Sequence, residues 1–539
     1  MKPTAEQPVS EVPLDIVGGC TFGRNPKISP AQTFNMMITD KALVQTPGYK
    51  KVINLPGYTN GRGIYASSRG DFMIAVIDNT VFKVSGPEDN LVYQALFDIG
   101  TFYGDISIDE NVASQIAICD QDALWVYNYL TNVATRATLP TNTDTGLEIT
   151  PGFVTYHDGY FIVPDITSNK WYLSAPNNGL SWNWGAGGLP VNGAILTKPD
   201  DAVAVLRAPG RGNLIYVFGQ NVTEMWNDTG AQLFPYQRNN SISIDYGCLS
   251  SNTIAAMDDL ICWLGINEKS GPVIMVSTGR EMTRLSTDGI DFKLAAVVNP
   301  KQSYAFFYKI DGHIFYQLTF YDPNDNFTLL YDFNTQKFSY LTDENMNFHI
   351  SESVAFFNNT YYFVSLVDGS IYELNSKYKT YDYRDTADPN ADNEYEIPRV
   401  RICSNIRQTD SSRFIANSLV LTVDQGNDEE FKGSQLFYIT TENGLVLAQE
   451  APVGYVGDFI GTERVVNPYE PRIDLSVSRD GGQTFGNFVQ QPLNSLGVRK
   501  NKVIFWRLGE ANDMSVQLRF WSKSNVTILE GVLQARMAP

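Results

Sequence analysis

One turn near the end of the sequence carries the residue types of an acid–base site. Ser478 and Thr484 place hydroxyls on either side of the Asp480 carboxylate, and Gly482 lies between Asp480 and Thr484. A carboxyl group held in this way could donate a proton as a general acid. The same residues also build local structure, because an Asp carboxylate accepts backbone N–H groups across a tight turn and hydroxyls cap it. We therefore interpret Asp480 as a structural residue.

The complete motif, Ser478-x-Asp480-x-Gly482-x-Thr484-Phe485, resembles the Asp-box hairpin of sialidase-like propellers and many other β-proteins. In that hairpin the aromatic residue is buried beneath the turn. Alternating apolar residues predict one strand before the turn, at 473–477, and further strands after it, at 503–505 and 516–520. We expect these strands to form a meander around the motif.

The three histidines add no second catalytic pattern. His157 and His313 adjoin Asp-Gly turns, His349 lies in the segment NFHIS, and none has a partner histidine at a metal-chelating spacing. We interpret each as a solvated or turn residue. Nucleotide-binding, serine-hydrolase and zinc-protease motifs are also missing from the sequence. The sequence therefore predicts no catalytic residue and no cofactor.

Two acidic clusters offer oxygen ligands at alternate positions. They are Asp322 with Asn324 and Asp325, and Asp388 with Asn390 and Asp392. Neither has the Gly at position six or the Glu at position twelve of a calcium-binding EF-hand loop. We interpret both as Asx-turns and predict no metal site.

Trp182 and Trp184, in the segment GLSWNWG, leave two roles open. Exposed tryptophans would make a platform for a sugar ring. Blade cores and interfaces also use aromatic residues, and we favour that role here.

Composition favours a globular, strand-rich protein of two or three domains. Aromatic residues make up 12% of 539 residues, against 18% charged residues. The net charge of −19 argues against broad binding to phosphate backbones. The five cysteines are scattered, odd in number and without C-x-x-C, which predicts reduced thiols and folding in a reducing cytoplasm. No secretion signal or membrane-spanning segment is predicted.

A repeated unit of strand, short polar turn and strand fills the first two thirds of the chain. Its turns lie roughly 35 to 60 residues apart, the spacing of propeller blades. They fall at 78–79, 120–122, 157–159, 219–221, 258–259, 311–312 and 358–359. Helical periodicity is confined to short segments such as 286–294. The predicted fold is all-β: a propeller of about six or seven blades with an additional C-terminal β-domain and few, short helices.

Changes in composition and strand pattern along the sequence predict the domain boundaries. Residues 1–60 are irregular and rich in Pro, which is typical of a clip segment. The propeller is expected at 61–375, an acidic linker at 376–398, and the C-terminal β-domain, with the Asp-box and an insertion at about 424–467, at 399–539.

Several segments, taken in order, resemble one known family. They are TPGY and GRGI near the start; WYLSAPNNGLSWNWG, IYVFG, TEMWN, LFPY, DYGC and WLG in the middle; and IPR, SRDGGQTF and FWRLG near the end. The family is that of the packaged-DNA stabilisation proteins, also called tail hub or nozzle proteins, of short-tailed double-stranded DNA bacteriophages. The sequence departs from the usual pattern at Phe485, where Trp is commoner, and in the expanded segment 424–467.

The resemblance implies a structural protein of the virion tail, made and assembled in the host bacterial cytoplasm, and no enzyme. Proteins of this family form a hexameric ring below the portal and its adaptor. The ring extends the DNA channel, retains packaged DNA with a needle or plug protein, lets the double-stranded DNA pass at ejection, and carries fibres or spikes. The alternatives are a propeller-type glycan-active enzyme and a glycan-binding adhesin. The enzyme requires converging carboxylates, or an arginine cluster with a tyrosine, at one end of the propeller axis.

Overall fold

The computed structural model describes most of the chain and divides it into two compact units. The described residues are 10–24, 31–39, 41–142, 145–210, 212–279, 281–385, 393–408, 412–425, 433–438, 461–466, 471–493 and 500–538. The propeller unit consists of residues 19–35 and 46–398. The sandwich unit consists of residues 1–18, 36–45 and 399–539.

The first strands of the chain are divided between the two units. They are β1 (Ser10–Pro13), β2 (Gln32–Phe34), β3 (Met36–Thr39), β4 (Ala42–Gln45) and β5 (Gly48–Ile53). Strands β1, β3 and β4 belong to the sandwich unit, whereas β2 and β5 belong to the propeller unit. The structure thus differs from the single clip segment expected at 1–60, because the strands of that segment are members of larger sheets.

Seven antiparallel sheets, the blades, follow one another along the described part of the propeller unit. Blade 1 contains β6 (Gly61–Ala66), β7 (Met73–Ile77), β8 (Thr80–Ser85) and β9 (Val92–Asp98). Blade 2 contains β10 (Ser107–Glu110), β11 (Gln115–Cys119), β12 (Leu124–Asn128) and β13 (Val133–Arg136). Blade 3 contains β14 (Thr155–His157), β15 (Tyr160–Pro164), β16 (Lys170–Leu173) and β17 (Val191–Ala194). Blade 4 contains β18 (Ala202–Arg207), β19 (Leu214–Gly219), β20 (Thr223–Asp228) and β21 (Tyr236–Ile244). Blade 5 contains β22 (Gly247–Cys248), β23 (Ala255–Met257), β24 (Leu260–Asn267), β25 (Ser270–Ser277) and β26 (Met282–Arg284).

The last two blades include strands from distant parts of the sequence. Blade 6 contains β27 (Ser303–Ile310), β28 (His313–Asp322), β29 (Asp325–Asp332) and β30 (Lys337–Leu341), and blade 7 contains β31 (Ser351–Phe357), β32 (Thr360–Ser365) and β33 (Ile371–Asn375). Strand β2 pairs with β30 in blade 6. Strand β5 pairs with β33 and so completes blade 7.

Each predicted polar turn lies in a different one of these sheets, so the hairpin pattern is confirmed blade by blade. Several of the turn residues have positive φ, among them Asp78 at 49°, Asp311 at 52° and Asn359 at 61°. Asp and Asn tolerate this conformation better than other side chains, which is why they occupy such turns. The short helix predicted near 286–294 is α1 (Asp288–Ala295), and 3₁₀ turns cover Ala186–Gly188 and Ser251–Thr253.

Clusters of apolar side chains join neighbouring blades. Ile74 and Val76 of blade 1, for example, share a buried cluster with Ile116 and Ile118 of blade 2. The same kind of cluster joins blade 7 to blade 1, where Tyr362 and Val364 pack with Met73 and Ala75. The first strand of blade 7, β31, also contacts the first strand of blade 1, β6. The blades therefore close into a ring around a central axis lined by their first strands.

The acidic segment expected as a linker at 376–398 continues blade 7 instead. Its described part contains β34 (Thr380–Asp382) and β35 (Glu394–Glu396), which pair with each other. Strand β34 also pairs, in parallel, with β5. The polar composition was misleading because the pairing of β34 depends on a strand more than 300 residues earlier in the sequence.

The sandwich unit has two sheets that enclose one apolar core. Its remaining strands are β36 (Arg399–Ile402), β37 (Ile406–Arg407), β38 (Phe414–Gln425), β39 (Gly433–Tyr438), β40 (Gly461–Val466), β41 (Arg472–Ser478), β42 (Val489–Pro492), β43 (Asn501–Ala511), β44 (Asp513–Trp521) and β45 (Val526–Met537). One sheet has the order β3-β4-β45-β38-β43, with β1 on β45, and the other has the order β36-β44-β41-β42, with β37 on β44. The described part of the 424–467 insertion includes the hairpin β39–β40.

The expected meander around the Asp-box is wrong. Strand β42 pairs with β41 as a hairpin, but the next strand, β43, pairs with β38 in the opposite sheet. The chain then returns in β44, which pairs with the other edge of β41. Alternation identified these strands correctly, and Phe505 and Phe520 are both buried in the same core. It could not assign their partners, because strands of either sheet of a sandwich show the same pattern.

We predict that replacing Tyr49 in β5 weakens the whole propeller. Its ring is fully buried, stacks on Tyr381 at 4.3 Å between centroids, and its hydroxyl shares a hydrogen bond of 2.5 Å with Tyr383. Tyr49→Ala removes a large buried side chain from the closing strand and is expected to lower the free energy of unfolding by about 3–5 kcal/mol. Urea denaturation followed by circular dichroism measures this change.

The matched control is Tyr93→Ala in the outer strand of blade 1, because Tyr93 is 48% exposed. We expect this variant to stay within about 0.5 kcal/mol of the wild type. Equal effects of the two substitutions would contradict a closing role for Tyr49.

Candidate functional site

The Asp-box turn follows β41, and hydrogen bonds occupy its carboxylate. The Ser478 hydroxyl donates to Asp480 Oδ1 at 2.6 Å and accepts the backbone N–H of Gly482 at 2.9 Å. Asp480 also accepts the backbone N–H of Thr484 at 2.9 Å and its hydroxyl at 2.5 Å. Gly481 and Gly482 have φ values of 78° and 84°, which the turn requires and glycine adopts freely. Phe485 is half-buried.

These hydrogen bonds favour the charged form of Asp480. The Ser478 and Thr484 hydroxyls hold the pKa of this carboxyl well below its usual value. A general acid must hold its proton near the working pH, so a lowered pKa is the opposite of what that role requires. These hydrogen bonds are consistent with our interpretation of Asp480 as a structural residue that stabilises its own turn.

The histidines occupy sites different from those expected. His157 is 6% exposed, lies 2.8 Å from the Tyr236 hydroxyl, and has its pKa lowered by burial. His349 is also buried, and desolvation lowers its pKa to about 3. The interpretation of both as solvated or turn residues was wrong in this respect, because they are packed in the core. His313 is half-buried, with Nδ1 2.8 Å from Asp332 Oδ2.

The first acidic cluster forms the Asx-turn that we expected. Asp322 Oδ1 accepts the backbone N–H of Asn324 at 2.9 Å, and Asp325 accepts the backbone N–H of Val298 at 2.9 Å. The second cluster, Asp388–Asp392, lies outside the described residues. Across the described ranges, no group of three or more His, Cys, Asp or Glu side chains is placed to hold a metal ion.

The two tryptophans pack against the clusters that join blade 3 to blades 2 and 4. Trp182 is 2% exposed and its ring N–H donates to the Gly179 carbonyl at 2.8 Å. Trp184 is half-buried, and its ring stacks on Tyr160 at 5.7 Å between centroids. Neither ring is presented as an open platform for a sugar.

A large cavity of the propeller unit lies at one end of its axis. Two adjoining spaces, of about 640 and 550 Å³, share Asp105, Gln302 and Tyr321 in their walls. A third space of about 180 Å³ adjoins them at Glu352. Asp105 lies two residues before the first strand of blade 2, Gln302 lies one residue before the first strand of blade 6, and Glu352 lies in the first strand of blade 7. Residues far apart in sequence thus converge on the axis.

Burial makes the carboxyl groups of this axial cavity poor acids. Desolvation raises the pKa of Glu352 well above its usual value, and the neighbouring Asp105 adds to the shift. Desolvation also raises the pKa of Asp105 to about 6, although Gln121, which donates a hydrogen bond to it at 3.1 Å, opposes this. Burial thus favours the protonated form of both carboxyls, and Asp105, with its pKa of about 6, is largely charged near neutral pH.

Arg62 lies beside these carboxyls but is committed to the backbone. Its guanidinium donates to the carbonyls of Thr101, Tyr103 and Gly104 at 2.7–3.0 Å, and to that of Asp78 at 2.9 Å. Burial lowers its pKa. This arginine thus holds the loop 101–104 in place, and its donors are taken by the protein itself. It does not provide the free arginine cluster that a sialidase-type site requires.

The sequence pattern does not reveal Asp105, Glu352 and Arg62 as site residues, because nothing in their local spacing sets them apart. The hairpin periodicity places Glu352 at the start of a blade, and this was the available signal. The folded propeller brings the Asp105 and Glu352 carboxyls together at the axis, and converging carboxyls are one of the features that a glycan-active enzyme would need. What the arrangement offers chemically is an acidic cavity for binding, in which burial raises the pKa of both carboxyls.

Comparisons with known proteins identify one family. The family model Phage_stabilise, described as "Bacteriophage P22 Gp10, beta-propeller", matches residues 12–377. A search of curated proteins finds no match. Among solved structures, a chain of "Crystal Structure of Mitotic Checkpoint Complex" is similar at 11% identity, covering 61% of this chain and 94% of that chain with a TM-score of 0.39. This likeness is too low to support a functional comparison. No helix in the described ranges combines the length and apolar character needed to span a membrane.

The raised pKa of Asp105 predicts that stability falls as the pH rises from about 4 to above 6. Between these values the folded protein holds a proton that the unfolded chain has released, so each step upward in pH favours unfolding. Asp105→Asn is uncharged throughout and removes this part of the loss. We expect it to exceed the wild type in unfolding free energy by about 1–3 kcal/mol at pH 7.5 and by much less at pH 4.5.

Urea denaturation at several pH values tests this expectation. The matched control is Asp259→Asn, which changes an exposed aspartate in a hairpin turn of blade 5. Its difference from the wild type is expected to be small at every pH. A difference for Asp105→Asn that does not grow with pH would contradict the assigned shift.

Proposed function

This chain belongs to the bacteriophage family described as the P22 Gp10 β-propeller, and from this premise we propose that six copies form a ring in the tail. The family match, which spans the propeller, is the observation that carries the proposal. The protein is a phage structural tail protein. The ring would extend the DNA channel below the portal and its adaptor, retain packaged DNA, and allow its ejection.

The proposed partners follow from that position in the tail. The adaptor would contact one end of the ring, and a needle or plug protein would close the other end until ejection. Fibres or spikes would attach at its sides. Assembly would take place in the host cytoplasm, where the five cysteines remain thiols; none of them forms a disulfide.

The proposed role needs no reaction from this chain. Two features of the sequence first suggested catalysis, the Asp-box and the histidines. The Asp480 carboxylate is charged and occupied by hydrogen bonds within its own turn, and His157 and His349 are buried. The axial cavity has two carboxyls, but the neighbouring arginine is committed to backbone carbonyls. A structural subunit of the tail is therefore favoured over a glycan-active enzyme.

The net charge of −19 supports an acidic channel wall. DNA must leave such a channel quickly, and each contact between a phosphate and a cation would add affinity and slow its sliding. A negative wall repels the duplex over about a Debye length, about 8 Å at physiological salt. Closure of the channel would then be steric, by a partner protein, without a belt of Lys and Arg.

Electron microscopy of the purified protein tests the ring. We expect rings of about six copies, or a monomer that joins into rings only on an added portal–adaptor complex. The control is the adaptor-free portal, which should not recruit the protein. A protein that stays monomeric on the complete template, or that hydrolyses a chromogenic sialoside, would contradict the proposal.

Binding of double-stranded DNA to the assembled ring tests the acidic wall. We expect dissociation constants weaker than about 10⁻⁴ M at physiological salt, because a protein without phosphate contacts falls below ordinary non-specific binding. Fluorescence anisotropy of a labelled duplex measures this. Micromolar binding with a steep dependence on salt would show that cations line the bore.

A further inference from the structure

The axial cavity of the propeller contains a buried polar atom whose hydrogen bond is unmet. Glu352 Oε2 has no partner among the described residues, although its residue is only 8% exposed. Glu352 lines two of the adjoining spaces of the cavity. Leaving a buried polar group unpaired costs free energy, and such groups in a folded protein call for a partner. A ligand that enters from the axial opening would supply one.

The charges around the cavity favour a cation. Asp105 and Glu352 contribute two carboxyls, while the donors of Arg62 are taken by backbone carbonyls. Lys301 also lines the cavity but is exposed to solvent. A positive group placed between the two carboxyls would favour their charged forms and would pair with both.

An aromatic rim stands at the same opening. Phe102 and Tyr103 are 55% and 76% exposed, and Tyr103 lines the cavity. Their loop is fixed from below, because Arg62 donates to the carbonyls on both sides of Phe102. Aromatic faces beside carboxylates are the surroundings in which proteins bind ammonium and guanidinium groups. The backbone of this loop is thus anchored before any ligand arrives, which lowers the cost of binding.

We propose that this cavity binds a lysine or arginine side chain presented by another virion protein, with the two carboxyls pairing with its charge and Tyr103 covering its stem. Charge complementarity and the fixed aromatic rim select this occupant. The docking site goes beyond the ring proposed above and does not depend on it, since every residue named belongs to the propeller of one chain.

Binding should strengthen as the pH rises. The titratable and charged groups near the two carboxyls are Arg62, Cys248, Lys301, Tyr304 and Tyr321, and Asp78 and Asp120 lie beside Arg62. The tyrosines stay protonated in this range, because burial raises the pKa of Tyr304 and Tyr321. Ionisation of Asp105, with its pKa of about 6, therefore leads to an increase in affinity of about tenfold between pH 5 and pH 8.

Isothermal titration calorimetry with the peptide acetyl-Gly-Lys-Gly-amide tests the proposal. We expect binding that strengthens about tenfold from pH 5 to pH 8, and at least tenfold weaker binding by the double variant Asp105→Asn with Glu352→Gln. Glu352→Gln alone serves if the double variant fails to fold, since glutamine resembles the protonated glutamate. Tyr103→Ala should weaken binding several-fold. The matched controls are Glu268→Gln and Tyr93→Ala, which change exposed residues elsewhere in the propeller.

Several results would overturn the proposal. One is equal binding of the uncharged peptide acetyl-Gly-Gln-Gly-amide, and another is unchanged binding by the carboxyl variants. No binding by any lysine or arginine peptide would also sink it. Spermidine binding without peptide binding would assign the cavity to a free polyamine instead of a protein partner. None of these results bears on ring formation, so each leaves the proposed tail function to its own test.

Discussion

Closure of the propeller by β5 is the constraint on which the rest of the structure depends. The blades bury apolar side chains between neighbours, and the ring is complete only when blade 7 is joined to blade 1. Strand β5 lies antiparallel to β33 and parallel to β34, so one strand near the start of the chain ties together two later ones. Gly48 at its start allows this approach, because a Cβ there would lie 2.4 Å from the Thr380 carbonyl oxygen.

The same closure creates the axial cavity. Residues of blades 2, 6 and 7 meet there because the ring brings their first strands together, and the resulting desolvation raises the pKa of Asp105 and Glu352. Such carboxyls cost stability, so the fold must tolerate them. Arg62 partly offsets this cost and at the same time fixes the exposed Phe102–Tyr103 loop. The polar axis is thus a consequence of blade packing, and its chemistry is that of binding, without the groups of a hydrolase.

Local sequence predicted the hairpins but not the long-range pairing. Asp78, Asp311 and Asn359 occupy turn positions with positive φ. Such turns can be predicted from their own residue types, because the requirement for Asp, Asn or Gly is local. The Asp-box is local in the same way, because the residues from Ser478 to Thr484 are enough to predict the hydrogen bonds around Asp480. In contrast, β5 and β34 are separated by more than 300 residues, and no periodicity encodes that partnership. For the same reason the sequence did not show that Asp105 and Glu352 lie near each other, and the polar segment at 376–398 was predicted to be a linker.

Hydrogen exchange in the intact protein tests the closure most directly. If β5 completes the ring, the amides of Tyr49–Ile53 should exchange as slowly as those of the central strand β32, because both open only when the propeller unfolds. Exchange of β5 many times faster than β32, and comparable with the exposed outer strand β9, would show that the ring stays closed without it. That result would contradict the account.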